Sequence, residues 1–427
     1  MRFLFLFLFT NTLNANAQHW NLTQLQTLPI KTSNNAVCEG FVGDTAFVYS
    51  FAGIDSSKIY AGIHLNSFRL NLTTSQWQTI PSLPDTMGKI ACAASRIKDT
   101  IYIIGGYHVL ANTNEISSNK VHRYNIITNQ FMNDGSNSIL PIDDQVQCVY
   151  KDSLIYIVTG WSNTANVANV QVYNPKLNNW QTATAMPNNN TYKSFGASGT
   201  IIGDTLYFLG GASSGAGFTA QTVLRKGYID PANPLQITWS FINPNVKAYR
   251  SACTSIGNNI YWLGGSEITY NYNGIAYNGS GGVSPSNKSR RLTSIWDFDI
   301  TNNLPMDLRG VAKINDSTII IVGGMNSNQL VTNQVLKLKN ISSASTAMYE
   351  RKNNFELNVF PNPVTDRLYL HIDKNAIVTI LNAQSTVLSI HKNTKSVDMS
   401  MWQAGVYFIK VEHQNSIVIK KIIKIDD

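Results

Sequence analysis

Basic and aromatic residues that could bind a ligand recur along this chain. Four basic residues stand in segments that lead into strand-like stretches: Lys89, Lys193, Arg250 and Arg309. Trp161 directly follows another such stretch. Arginine forks bind carboxylates, and aromatic side chains line most small-molecule pockets. A surface that gathered these residues would therefore suit a carbohydrate or an acidic ligand.

A long segment from Ser266 to Arg291 contributes three more aromatic residues, Tyr270, Tyr272 and Tyr277. Glu267, at its start, is the tentative catalytic group if the protein is an enzyme, since a buried carboxylate can act as a general base. The seven histidines are scattered, and His-Glu-x-x-His does not occur. Gly211-Ala212-Ser213-Ser214-Gly215 is not followed by the helical pattern that a Gly-x-Ser-x-Gly nucleophile elbow requires. The sequence therefore predicts no metal site and no cofactor, and it favours a binding module over an enzyme.

The elements that position these residues are repeated units. Six segments combine an Asp- or Asn-rich turn, four to six β-branched or aromatic residues, and a small pair that ends in glycine. The final glycines are 51 to 59 residues apart: Gly53, Gly106, Gly160, Gly211, Gly265 and Gly324. Glycine tolerates positive φ and a close approach of backbones, so we interpret these pairs as structural.

This repeat resembles the kelch motif, in which each unit of about fifty residues is one four-stranded propeller blade. An aromatic residue stands at the expected distance in four units: Trp77, Phe131, Trp180 and Trp239. The resemblance implies an all-β fold, a six-bladed kelch-type β-propeller over residues 18–340. The sixth unit lacks its own Trp, which appears instead as Trp20, so we expect the segment from Trp20 to Gln26 to complete the last blade.

The resemblance also implies a site. Kelch propellers often present basic residues as a ring at the channel mouth, and here Gln145 and Asn35 would complete the ring with the four basic residues. The sialic-acid mutarotases are six-bladed kelch propellers, so an alternative is a sugar mutarotase or epimerase. In it, Arg250 and Arg309 would hold a carboxylate and Glu267 would transfer the proton. A second alternative is a scaffold for protein interactions.

The N-terminal residues 1–17 are interpreted as a signal peptide. Arg2 is followed by an apolar run that is too short to span a bilayer, and Ala15-Asn16-Ala17 forms a cleavage site before Gln18. No later segment is predicted to cross a membrane. The protein is therefore expected outside the cytoplasm.

A linker, residues 341–354, precedes a C-terminal segment of different character. Residues 355–427 contain Pro361-Asn362-Pro363, alternating strand patterns and the pair Gly405 and Tyr407. This resembles the type A sorting domain of the type IX secretion system, and we predict a small antiparallel β-sandwich. The resemblance implies the secretion machinery as a partner and an extracellular or outer-membrane surface location, anchored or released.

The net charge and the cysteines indicate which partners and which cross-links to expect. The net charge is +8, but no dense basic run with interleaved aromatic residues is present, so nucleic acid is not an expected partner. Four cysteines occupy the same element of different repeats: Cys38, Cys92, Cys148 and Cys253. We expect them to face the core as small apolar residues, with two disulfides as the alternative.

Overall fold

The computed structural model describes residues 18–286, 288–292, 297–298, 304–342, 357–371, 376–382, 387–413 and 416–426. These residues form strands, turns and two short 3-10 turns, Tyr60–Gly62 and Ser327–Gln329, with no α-helix among them. The chain divides into two compact units, Met1–Ala344 and Ser345–Asp427. The predicted signal peptide, and nearly all of the predicted linker, lie outside the described residues.

Six antiparallel sheets follow one another in the first unit, and we number them blades 1 to 6, giving each from its inner strand outward. Blade 1 contains Ala36–Val42, Thr45–Ile54, Ile63–Asn71 and Gln76–Ile80. Blade 2 contains Ile90–Ile97, Thr100–Val109, Val121–Asn125 and Gln130–Phe131, with Glu115–Ser117 added beside the second strand. Blade 3 contains Val146–Tyr150, Leu154–Val158, Val170–Asn174 and Asn179–Thr182.

The other three blades have the same order of strands. Blade 4 contains Ser198–Ile202, Thr205–Leu209, Leu224–Ile229 and Ile237–Ile242. Blade 5 contains Ala252–Ile256, Asn259–Leu263, Ser289–Leu292 and Asp297–Phe298. Blade 6 contains Ala312–Asn315, Thr318–Val322, Val335–Ser342 and Gln18–Gln24. Short hairpins on the loops of blades 3 and 6 pair Trp161–Ser162 with Ala165–Asn166, and Met325–Asn326 with Leu330–Val331.

The six blades form a closed ring. From blade 1 to blade 5, each inner strand contacts that of the next blade, and Ala36–Val42 also contacts Ala312–Asn315 of blade 6. The inner strand of blade 5 contacts the short strand Arg309–Gly310, which leads into blade 6 and pairs parallel with Ala36–Val42. The N-terminal strand Gln18–Gln24 pairs antiparallel with Val335–Ser342, which places Trp20 opposite Asn340. The expectation that the N-terminal segment completes the last blade is therefore confirmed, and we call Gln18–Gln24 the latch strand.

The outer-strand tryptophans connect three of the blades to the chain that precedes them. Nε1 of Trp77, Trp180 and Trp239 donates a hydrogen bond to a backbone carbonyl at 2.9, 2.7 and 3.0 Å, namely those of Gln26, Ser136 and Thr184. An indole N–H that is removed from water needs such an acceptor. The repeated aromatic position therefore has a structural role.

The glycine pairs lie within the second strand of a blade or directly after it, in left-handed backbone. Gly106 has a φ of 84°, and a Cβ placed there would lie 2.6 Å from the carbonyl oxygen of Ile90. Ala52 and Thr159 occupy the first position of two pairs and also have positive φ, 56° and 48°. The Thr159 hydroxyl accepts a hydrogen bond from the backbone N–H of Ser194 at 2.8 Å, which ties this strained turn to the next blade.

The four cysteines are free thiols. Cys38, Cys92 and Cys148 are buried and Cys253 is half-buried, and no disulfide joins them. Burial raises the pKa of Cys148 to about 12. They pack as small apolar residues, as the sequence indicated.

The second unit is a small sandwich of two antiparallel sheets. One sheet has the order Asn358–Phe360, Arg367–His371, Ser396–Asp398, and the other has Val387–Lys392, Ile377–Asn382, Gly405–His413, Ser416–Lys424. Alternate side chains of both sheets, such as Leu368, Val378 and Ile409, form its core. In the described part of the chain, no helix is long and apolar enough to cross a membrane.

Two of the predicted sorting motifs make specific contacts within this unit. The Asn362 side chain bridges to the last strand: its Nδ2 donates to the carbonyl of Lys421 and its Oδ1 accepts from the N–H of Ile423, both at 2.9 Å. The Tyr407 hydroxyl donates to the carbonyl of Gln403 at 2.8 Å.

Candidate functional site

A ring of left-handed residues marks the mouth of the central channel. One residue per blade, at the start of the inner strand or within a few residues before it, has a φ between 46° and 67°: Asn34, Ala91, Asp144, Gly196, Arg250 and Asp307. Neighbouring blades are joined here by backbone hydrogen bonds, such as Gly196 N–H to Asp144 O and Arg250 N–H to Gly196 O, both 2.8 Å. Asn34 N–H donates to Asp307 O at 3.2 Å, and Asn34 Oδ1 accepts from Ala91 N–H at 2.9 Å, so the ring closes.

Buried ion pairs fill the centre of this ring. The Arg250 side chain, 1% exposed, donates to both carboxylate oxygens of Asp144 at 3.1 and 2.7 Å and to Asp307 at 3.0 Å. Arg309 adds a contact of 3.0 Å to Asp144. The charges of two arginines and two aspartates from three blades therefore neutralise one another away from solvent.

The pKa values reflect this pairing. Burial alone would raise the pKa of Asp144, but the charges of Arg250 and Arg309 outweigh it and lower the pKa. Burial alone would lower the pKa of Arg250, but Asp144 and its other neighbours raise it well above its usual value. Tyr249 and Tyr270 pack their rings 5.3 and 5.5 Å from the guanidinium carbon, as cation–π contacts.

A polar channel lies on the inner-strand side of the ring. It encloses about 120 Å³ and is lined by residues that lie in or just before the inner strands of all six blades, among them Gln145, Gln147 and Arg309. The side-chain oxygens of both glutamines are buried and have no hydrogen-bond partner among the described residues.

An aromatic pocket lies on the loop side of the ring. It encloses about 110 Å³ and has five aromatic walls: Tyr107, Trp161, Phe195, Phe218 and Tyr277. Its polar lining consists of Glu115, Asp143, Asp144, Arg250 and Asn271. The rings meet edge to face: Trp161 lies 5.3 Å from Phe195, and Tyr277 lies 4.7 Å from Phe218. We call this cavity the aromatic pocket.

Asp143 differs from its neighbour Asp144. It is 3% exposed, and within the described chain its side chain has one hydrogen bond, from the Ser117 hydroxyl to Oδ2 at 2.5 Å. Burial, followed by the charge of Asp144, raises the pKa of Asp143 well above its usual value. Two adjacent carboxyls thus favour opposite protonation states, a pattern often found at functional sites.

This pattern gives a pH prediction for Asp143→Asn. Between the ordinary aspartate pKa near 4 and the raised pKa of Asp143, the folded protein keeps a proton on Asp143 that the unfolded chain releases. The contribution of Asp143 to the free energy of unfolding therefore falls as pH rises through this range. The free energy of unfolding of the variant, relative to that of the wild type, should therefore increase from pH 4 to pH 8. Chemical denaturation across this range measures it. Asp99→Asn, in an exposed turn, serves as the control, and a difference that does not grow with pH would contradict the assignment.

The structure brings some of the predicted site residues together. Trp161 and Arg250 line the aromatic pocket, Arg309 lies beneath it in the channel, and Tyr270 is buried behind Arg250. Tyr272 is half-buried against the apolar residues around Tyr107.

Three other predicted residues lie away from the pocket. Lys89 is buried in an ion pair of 2.5 Å with Asp85 and lies 3.2 Å from His122 Nε2. Lys193 is half-buried and does not line the pocket. Glu267 is 41% exposed and pairs with Arg290 at 2.7 Å, so the tentative catalytic carboxylate lies outside the aromatic pocket.

Comparison with known proteins agrees with both units. A family model described as the kelch motif matches residues 91–135, and one described as a secretion system C-terminal sorting domain matches residues 358–425. The chain is similar to kelch-like protein 26 of Danio rerio, 26% identical over 214 residues, and to kelch-like protein 36 of Bos taurus, 23% identical over 221 residues. The matches cover 49% and 51% of this chain but 31% and 33% of those proteins, about a third of their length.

A solved structure, that of YjhT, covers 74% of this chain and 99% of its own, with a TM-score of 0.59 and 13% identity. The first unit is therefore a β-propeller that contains a kelch motif, and the second unit contains a secretion system C-terminal sorting domain. The kelch match coincides with blade 2, whose strands Thr100–Val109 and Glu115–Ser117 supply Tyr107 and Glu115 to the aromatic pocket. The sorting domain indicates export by the type IX secretion system to the cell surface or the extracellular space.

Proposed function

We propose that the kelch propeller is an exported recognition module that binds a saccharide in the aromatic pocket. The observation that carries this proposal is the lining itself: five aromatic side chains and several polar groups from different blades converge on one cavity. Apolar walls with a few placed polar groups are typical of small-molecule sites. The loops that bear them lie on one face of the ring, where binding residues are commonly found.

The size of the pocket suits one end of a ligand. Its volume of about 110 Å³ is several times the ~30 Å³ share of a water molecule and below the ~300 Å³ at which drug-sized sites begin. A terminal sugar ring could enter while the rest of a chain stayed outside. Asp143 and Glu115 offer acceptors for sugar hydroxyls, and the Asn271 amide offers donors.

The charges favour a neutral or basic saccharide over the acidic ligand considered from sequence. Arg250 is held by Asp144 and Asp307, and Arg309 is held by Asp144. A ligand carboxylate would have to displace these buried aspartates, which would leave charges unpaired in a dry site.

Saccharide binding tests the proposal. The purified protein would be screened against an array of neutral, basic and acidic saccharides, and the affinity for hits measured by calorimetry. Trp161→Ala should weaken binding at least about fivefold, because loss of a stacked indole removes ~1 kcal/mol or more of contact energy.

Trp77→Ala is the matched control. It also removes an indole, but from the outer strand of blade 1, where Trp77 lies outside the aromatic pocket. It should leave the affinity unchanged. Equal losses in the two variants, or an array without hits, would contradict the proposal.

A mutarotase or epimerase is a second candidate, supported by the protonation state of Asp143. A proton-transfer group should touch the bound sugar, and Asp143 lines the pocket whereas Glu267 does not. If the pocket is catalytic, Asp143→Ala should abolish anomer interconversion seen by NMR, and Glu267→Ala should leave it intact.

Protein binding is the third candidate. Exposed apolar side chains, 42% to 62% accessible, lie in loops at the same end of the blades: Tyr60, Ile116, Ile268, Ile275 and Leu330. Kelch propellers commonly bind proteins, and this rim would provide contact area. If the purified protein bound no saccharide but bound a protein partner through these exposed side chains, the third candidate would be supported.

A further inference from the structure

The charge balance of the aromatic pocket is negative. Three carboxyls line it, those of Glu115, Asp143 and Asp144, and Arg250 is the one cation that lines it in the described part of the chain. The bonds of Arg250 to Asp144 and Asp307, together with Arg309, neutralise the carboxyls at its floor. Because burial raises the pKa of Asp143 and keeps it protonated, the negative charge that remains belongs to Glu115.

These two carboxyls have unused capacity for hydrogen bonds. Among the described residues, Asp143 accepts only from the Ser117 hydroxyl, through Oδ2, and its Oδ1 has no donor. The Glu115 side chain is exposed at the rim of the pocket, and among the described residues no hydrogen-bond donor or ion-pair partner contacts its carboxylate. Both therefore have oxygens that a ligand could engage.

The aromatic walls favour the same kind of ligand. The faces of Trp and Tyr rings attract a cation within ~6 Å, and the attraction grows when the cation is removed from water. Tyr107, Trp161 and Tyr277 share the pocket with Glu115 and Asp143. A protonated amine would meet both a ring face and a carboxylate there.

We infer that the saccharide bound by the aromatic pocket is an amino sugar, whose free ammonium group contacts Glu115 and Asp143 while its ring packs on the aromatic walls. This inference rests on the proposed saccharide-binding function and adds its charge class. It excludes N-acetylated sugars as preferred ligands, since acetylation removes the positive charge. It also excludes uronic acids and sialic acids, whose carboxylates Glu115 would repel.

A matched pair of ligands tests the inference. Glucosamine oligomers with free amines and N-acetylglucosamine oligomers of the same length would be titrated into the purified protein by calorimetry at pH 6, where the free amine is protonated. The amine form should bind at least about tenfold more tightly, a difference typical of one charge-assisted hydrogen bond. Raising the salt from 0.15 to 1 M should narrow the gap, because Glu115 lies at the exposed rim.

Glu115→Gln supplies the decisive variant, since it removes the charge and keeps the shape. The ratio of amine to N-acetyl affinity should fall towards one, while Asp99→Asn, in a turn at the opposite ends of the strands, should leave the ratio unchanged. Equal affinity of the wild type for both oligomers would overturn the amine preference and leave saccharide binding intact. Binding of neutral saccharides alone on the array would also overturn the amine preference and leave saccharide binding intact. No binding to any saccharide would overturn both proposals.

Discussion

Arg250→Ala is expected to lower the free energy of unfolding by about 3–5 kcal/mol. The substitution leaves Asp144 and Asp307 buried without the cation that contacts both, at 2.7 and 3.0 Å. Removing one partner of a buried ion pair costs far more than the pair itself contributes, because the remaining charge has lost its water. Denaturant unfolding, monitored by tryptophan fluorescence, measures the change.

Two comparisons sharpen this prediction. Lys193→Ala removes a basic residue from the same predicted ring, but one that is half-buried and has no ion pair among the described residues, and it should cost less than about 1 kcal/mol. The double variant Arg250→Met with Asp307→Asn should recover part of the loss, because it removes a carboxylate together with the cation. If Arg250→Ala cost no more than Lys193→Ala, the guanidinium would not be the group that neutralises the ring.

Thr23→Pro is expected to weaken closure of the ring. Leu25 N–H donates to Val335 O at 2.8 Å, and the pairing continues as Gln24 with Leu336 and Thr23 with Lys337. Because hydrogen-bonded and non-hydrogen-bonded pairs alternate in an antiparallel ladder, Thr23 N–H also points at its partner strand. Proline removes that donor, and we expect a loss of about 2 kcal/mol.

Gln24→Pro is the matched control for the latch strand. Both residues are exposed and adjacent, but the Gln24 N–H points away from Val335–Ser342, at the free edge of blade 6. Proline is tolerated at such positions, so this variant should lose less than half as much stability. Thermal unfolding of both variants compares them directly. Equal effects would mean that the latch strand does not hold the ring through its backbone ladder.

The sequence predicted the fold well because its signals are local. Each blade contains the turn, strand and glycine pair of the motif within a few residues, so the number of repeats is evident from the sequence. The latch strand followed from counting too, since Trp20 supplied the aromatic residue that the sixth unit lacks. The second unit was also recognisable from short motifs around Asn362 and Tyr407.

The site was only partly predictable because its groups come from several blades. Trp161 and Arg250 were found because they flank repeated strands. Asp144 and Asp307 were missed, although they occupy the same ring position as Arg250 in other blades. Opposite charges at one repeat position were the available signal, and aligning the repeats would have shown it.

Other site residues were missed or misplaced because their neighbours lie in different strands. Phe195 and Phe218 resembled ordinary core or loop residues, and only the closed ring places them opposite Trp161. Glu267 stood next to a glycine pair, yet its neighbour in space is Arg290 of its own blade. Pairing between side chains in different strands depends on register, which a single sequence specifies weakly at loop ends.

The aromatic pocket is proposed as the ligand site of this exported propeller. A crystal structure of the protein with the tightest-binding saccharide from the array tests it most directly. We predict one sugar ring against Trp161, within hydrogen-bond distance of Asp143 or Glu115, and no change in the ion pairs of Arg250. A saccharide bound elsewhere on the propeller, with the aromatic pocket empty, would contradict the claim.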